Sequence, residues 1–245
     1  MKLNELLEIC NEIAPFELQA SWDNSGMVVG SSEDEIEHIY LALDIDEEQL
    51  LSLPEKSVVI AHHPLIFGKL NKIDFSTYPA KYLKIMIQKN ISHIAMHTNF
   101  DLVHLNRYVG DTVLGLIQSE QDEHLLYGDS KFENFDEILE DIQKRLGLET
   151  IKYVKSNEKI RRVALCTGAG ASLLEEVKAD LFLTGDIKYH EAMHAKALGI
   201  SLIDITHYTS EKYFSTIMMD ELKKKGILAI IANSKDPFNY KQEKA

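Results

Sequence analysis

Three stretches of the chain concentrate side chains that can hold a metal ion. Residues 58–67, VVIAHHPLIF, run an apolar segment into His62 and His63. Residues 91–101, ISHIAMHTNFD, deliver His97, Asn99 and Asp101 after a second apolar segment, and residues 200–212, ISLIDITHYTSEK, deliver His207 and Glu211 after a third. Imidazole and carboxylate donors together suit zinc, iron or manganese, whereas thiolates would select softer ions. Adjacent residues of extended chain face opposite ways, so His62 and His63 suit two different ions better than one. Taken alone, the pair could equally cap a sheet edge through hydrogen bonds. His207 and Glu211 share one face if their segment is helical.

The elements that must position these groups alternate between strand-like and helix-like periodicity, which implies an α/β protein with a substantially parallel sheet or sheets. Helices are expected over 2–13, 79–89, 102–117, 136–146, 171–178, 188–198 and 210–225. GMVVG, HIYLALDI, SVVIA, ISHIAM, RRVALC, ADLFLT, ISLIDI and ILAIIA read as strands, the last four of them short and buried. Residues 119–135 are polar with weak periodicity and read as a boundary or surface connection, and 233–245 as a loosely held tail. In open α/β sheets, ligands bind beyond the carboxyl ends of strands. All three clusters follow apolar runs, so they are expected to converge there.

The 245 residues suit one α/β unit or two packed halves. With 45% hydrophobic and 27% charged residues, the chain can bury a real core. A net charge of −13 disfavours non-specific binding to nucleic acid or anionic membranes. No apolar run approaches the ~20 residues of a membrane span. Glu5, Glu8 and Glu12 interrupt the first segment, which is therefore not a secretory signal, and a cytoplasmic location is expected. Cys10 and Cys166 read as small buried apolar residues with no disulfide between them.

WDNSGMVVG, AHHPLIF, HTNFD, TGD and THYTSE, in that order, resemble the family of Nif-three-like proteins, also labelled GTP cyclohydrolase I type 2 homologues. The resemblance runs from Trp22 to Glu211, and the length is similar to the short bacterial form without an inserted domain. It implies two related, tightly packed α/β halves, 1–125 and 126–245, with mostly parallel or mixed sheets. It also implies a two-metal site of His62, His63 and Asp101 from the first half and His207 and Glu211 from the second, Glu211 bridging. A toroidal homohexamer, a trimer of dimers, is implied as well. Thr206 and Ala61 stand where many members have glycine and threonine; neither position supplies a ligand.

The resemblance implies a metal-dependent hydrolase that uses two divalent ions per chain, zinc, iron or manganese, on a small polar or anionic substrate. GTP cyclohydrolase chemistry is the family's label, although no nucleobase-binding motif supports it independently. Counting two divalent ions, two carboxylates and a hydroxide leaves a small positive charge. His97 is the candidate for proton transfer, alongside Glu211. Asp186, His190, Asp23 and Asn24 are candidates to surround the ligands, and Trp22 reads as a loop residue near the site or a core anchor. The loop CTGAGAS, residues 166–172, reads either as an anion-holding turn or as a tight start to a helix. The contrasting class is a regulatory or chaperone-like metal-binding ring that engages a protein or nucleic acid without turnover.

Overall fold

The computed structural model describes residues 1–232 and 234–239. Helix α1 (Leu3–Ile13) buries Leu3, Leu6, Cys10 and Ile13, a spacing of three and four that lines one helical face. Pro15, just beyond it, cannot continue the helix. The remaining helices are α2 (Glu47–Ser52), α3 (Ala80–Gln88), α4 (Thr98–Phe100), α5 (Phe135–Leu146), α6 (Tyr189–Leu198), α7 (His207–Glu211) and α8 (Phe214–Lys224). In α5 the Asn134 side chain accepts from the amides of Asp136 and Glu137, and Gly147 ends the helix in the left-handed region.

Two sheets carry the site. The first has the order β1 (Gly26–Val29), β4 (Ser92–Ala95), β3 (Ser57–Ala61), β2 (His38–Ala42) and β11 (Ile230–Ile231). All its neighbours are parallel except β1 with β4. The second has the order β5 (Ile117–Asp122), β6 (Leu125–Asp129), β8 (Val163–Leu165), β9 (Leu181–Thr184), β10 (Ser201–Asp204) and β7 (Lys152–Val154). Here β8, β9 and β10 are parallel, while β5, β6 and β7 pair antiparallel. Strands β3, β4, β9 and β10 are buried along their whole length. One apolar cluster joins Ile60, Ile94 and Met96 on the first sheet to Leu165, Leu183 and Ile203 on the second, with Phe214 of α8 also in it.

Several expectations need correction. Residues 117–129 form a β-hairpin rather than a connection: Leu125, Leu126 and Tyr127 are buried, while polar β5 lies on the sheet edge. Strand membership therefore passes to the second sheet at Ile117, and β11 near the chain end returns to the first. ILAIIA is no buried strand. It contributes two edge residues, with Ile230 54% and Ile231 45% exposed. The helix expected from 102 begins at Thr98 and is wound largely in wide π turns, Asp101–Leu105 and Tyr108–Leu114, ending at Gly115. In the expected tail, Ser234 is fastened: its hydroxyl accepts from the Leu43 amide at 2.9 Å and its carbonyl from the Tyr208 hydroxyl at 3.0 Å. Residues 233 and 240–245 lie outside the described residues. Among the described residues no helix is long and apolar enough to cross a membrane.

Candidate metal centre

Six parallel strands deliver side chains to one place beyond their carboxyl ends. Asp44 follows β2, His62 and His63 follow β3, and His97 and Asp101 follow β4. From the other sheet, Thr167 and Gly168 follow β8, Asp186 follows β9, and His207 and Glu211 follow β10 on α7. The geometry yields three groups whose donor atoms lie within 4.8 Å of one another: His62 with Asp101 and Glu211, His63 with His207 and Glu211, and His62 with His63 and His97. The adjacent histidines thus fall in different groups around Glu211. His62 Nε2 is 3.6 Å from Glu211 Oε1 and 3.5 Å from Asp101 Oδ1. Glu211 Oε2 is 3.1 Å from His63 Nε2 and 2.9 Å from His207 Nε2.

Each histidine is held by its other nitrogen. The Nδ1 atoms donate to Met96 O from His62 (2.8 Å), to Asp44 from His63 (2.7 Å), to Asp23 from His97 (2.7 Å) and to Asp186 from His207 (2.7 Å). This assigns the proton to Nδ1 and turns four Nε2 lone pairs to the centre, as metal-ligating imidazoles require. Asp23 also accepts from the amide and hydroxyl of Thr98, and Asn24 ties that loop to the Ile66 carbonyl at 2.7 Å. Trp22 is 60% exposed and no core anchor; its ring packs near Phe67 and His97.

The residues present fit metal ions on chemistry and on burial. His62 Nε2 is buried without a hydrogen-bond partner, and Glu211 Oε2 meets only the Nε2 atoms of His63 and His207, an arrangement that is costly for the imidazole nitrogen unless another ligand satisfies it. Burial pushes the Asp101 carboxyl up to about 7, against the pull of His62. Burial also opposes ionisation of Glu211, but His62, His63 and His207 outweigh it and hold Glu211 well below the usual carboxylate range. Burial disfavours charge on His207 too, yet Glu211 and Asp186 raise it to about 9. Metal ions would displace those protons.

Asp44 was not among the residues expected here. The signal for it was present: it follows the apolar run HIYLAL as His62 follows SVVIA. Thr167 and Asn106 carried no such signal. The Thr167 hydroxyl lies 3.2 Å from Asp101 Oδ1, and its amide donates to Asn106 at 2.9 Å. His190, by contrast, is exposed on α6 with its ring against Tyr189, in none of the three groups. It sits a helix start away from Asp186. Asn99 is buried and locks Ser25 and the Ala14 carbonyl rather than joining the cluster. In the 166–172 loop the Gly168 and Gly170 amides donate to Ser210 and Thr184, and a short helical turn runs from Gly170 to Glu176.

Residues 1–237 match the family Duf34/NIF3 (NGG1p interacting factor 3). The chain belongs to the NIF3 family. A Campylobacter jejuni relative named GTP cyclohydrolase 1 type 2 homolog is 44% identical, over 98% of this chain and 100% of that one. A Helicobacter pylori relative named GTP cyclohydrolase 1 type 2 is 45% identical, over 96% and 98%. A Staphylococcus aureus crystal structure shares the NIF3 fold with a TM-score of 0.85 and 25% identity, covering 98% of this chain and 99% of that one.

Proposed function

We propose that this NIF3 protein is a metal-dependent hydrolase with two divalent ions per chain, zinc, iron or manganese, held by His62, His63, Asp101, His207 and Glu211. The observation that carries the reading is Glu211: one buried carboxylate belongs to two donor groups at once, one oxygen toward each. In this reading the cleft lies between a first half, 1–125, and a second, 126–245, and the chains assemble as a homohexamer. The names of the curated relatives nominate hydrolytic ring opening as the reaction type.

Paired divalent ions supply Lewis acidity and lower the pKa of water. The protein's own part is orientation and proton handling. Asp44, Asp186 and the Met96 carbonyl fix the imidazoles of His63, His207 and His62. His97, oriented by Asp23, presents Nε2 as a proton acceptor beside His62 and His63, their rings 5.1 and 5.4 Å apart from its own. Such positioned acid–base groups contribute typically ~10²–10⁴-fold.

The experiment loads the purified protein separately with zinc, manganese and iron. Nucleosides, phosphoesters and cyclic amides are then screened, with elemental analysis and sizing run alongside. Metal-dependent turnover, lost in Glu211→Gln together with bound metal, is the expected result. A Glu211→Gln protein that keeps two tightly bound ions per chain would remove Glu211 as the bridge. Turnover indifferent to metal would remove the hydrolase reading.

A further inference from the structure

A cavity of about 690 Å³ opens onto the metal cluster, with His63 and His207 in its wall. Its charge differs from what a phosphate-bearing substrate needs. Asp44 and Asp186 both line it. Each gives one oxygen to a histidine, Asp44 Oδ1 to His63 and Asp186 Oδ2 to His207. Their other oxygens have no hydrogen-bond partner among the described residues, and the side chains are 58% and 52% exposed. Asp204 and Asp236 bring the carboxylates in the lining to four, one Asp236 oxygen accepting the Phe238 amide. The one lysine in the lining, Lys152, is already bound to Asp204 at 2.7 Å. The rest of the wall is largely apolar, with Ile151, Tyr208 and Phe238.

A metal pair alone favours anions, and counting only Asp101 and Glu211 against it leaves positive charge. Asp23, Asp44 and Asp186, one hydrogen bond behind the histidines, reverse that balance. A phosphate chain extending into this cavity would meet the carboxylates of Asp44, Asp186, Asp204 and Asp236 and, among the described residues of its lining, no lysine or arginine without a carboxylate partner. A flat amidine, guanidine or ring-amine group presents several N–H donors, which carboxylates bind by charge-assisted, bidentate hydrogen bonds.

We propose that the cavity binds the part of the substrate remote from the metals, that this part is an apolar or aromatic body bearing a cationic or donor-rich nitrogen group, and that polyphosphate chains are rejected. The inference rests on the proposed metal site and names its substrate class. Asp44, Asp186 and Asp236 hold the nitrogen group, while Ile151, Tyr208 and Phe238 cover the ring.

The test uses manganese-loaded full-length protein and calorimetry with two probes, benzamidine and inorganic tripolyphosphate. Wild type is expected to bind benzamidine more tightly than tripolyphosphate. Asp236→Asn should weaken benzamidine roughly fivefold and tighten tripolyphosphate. Lys152→Ala, which frees the charge of Asp204, should shift both probes the opposite way. Undetectable benzamidine binding at millimolar concentration overturns the proposal. So does tripolyphosphate binding that is preferred by wild type or unmoved by both substitutions. Elemental analysis of the same samples separates the two readings. Absent metal counts against the proposed hydrolase, whereas full metal with the wrong probe preference counts only against this substrate class.

Discussion

Gly168 and Glu211 occupy adjoining space: at φ +66°, Gly168 turns toward the carboxylate, and a Cβ there would overlap Glu211 Oε1. Gly147 has nearly the same backbone, φ +67°, with nothing within 4 Å. Alanine costs about 1 kcal/mol at either position, because L side chains disfavour positive φ. Only Gly168→Ala should also displace Glu211. The expected outcome is a folded Gly168→Ala protein that loses bound metal and a folded Gly147→Ala protein that keeps it, read by elemental analysis after dialysis. Equal metal content in the two would show that the Gly168 contact does not matter to the site.

Asp44 holds His63 by the nitrogen that faces away from the centre. Partners of this kind typically contribute ~10–100-fold in metal affinity. Asp44→Asn is therefore expected to weaken metal binding by about that factor with little change in fold. Asp46→Asn, at the cap of α2, should leave it unchanged. Chelator competition measures both, and indistinguishable affinities would contradict the assignment.

His93 is buried and neutral. Its Nδ1 donates to the Val59 carbonyl at 3.0 Å, and its Nε2 accepts the Leu65 amide at 3.2 Å, which anchors the loop after His62 and His63. Burial lowers its pKa to about 4 from an ordinary 6.5. The unfolded chain therefore takes up the proton first as pH falls, so this contribution is complete above about 6.5 and drains away toward 4. Up to about 3 kcal/mol is at stake. The stability gap between wild type and His93→Gln should shrink as pH drops from 7 to 4.5 in denaturant titrations. A gap constant with pH would exclude this role.

Thr206 sits at φ +58°, ψ 148°, a conformation that suits glycine, directly before the proposed ligand His207. Such strain costs ~1–3 kcal/mol. Its hydroxyl accepts the Thr209 amide at 3.3 Å and caps α7, a role whose replacement by glycine costs only a few tenths of a kcal/mol. Thr206→Gly is expected to raise the melting temperature and to keep the metal. A lower melting temperature would mean that the cap outweighs the strain.

Much of the architecture was legible because local pattern and burial agree. α1 and α5 place apolar residues at three and four, and SVVIA and LFLT are continuous apolar runs of buried parallel strands. The hairpin β5–β6 was not legible. Its outer strand, IQSEQD, pairs on one side only and faces water, so nothing in its composition distinguishes it from a loop. Buried Leu125–Tyr127 were the one local clue.

The sequence by itself determined which donors exist and that each follows an apolar strand, since a strand end is where a buried backbone hands its side chains to a cleft. It also marked the chain as a NIF3 protein through its ordered motifs. Only the tertiary structure decided which groups meet. Glu211 reaches both donor sets because two sheets from distant parts of the chain pack on one core, bringing α7 over the ends of β3 and β4. Asp44, Asp186 and Asp23 become partners of particular imidazoles through neighbouring strands of a single sheet, 19, 21 and 74 residues away, and His190 lies outside the three donor groups. Contacts across more than a hundred residues of chain depend on how faces pack, and no local pattern of residues records that.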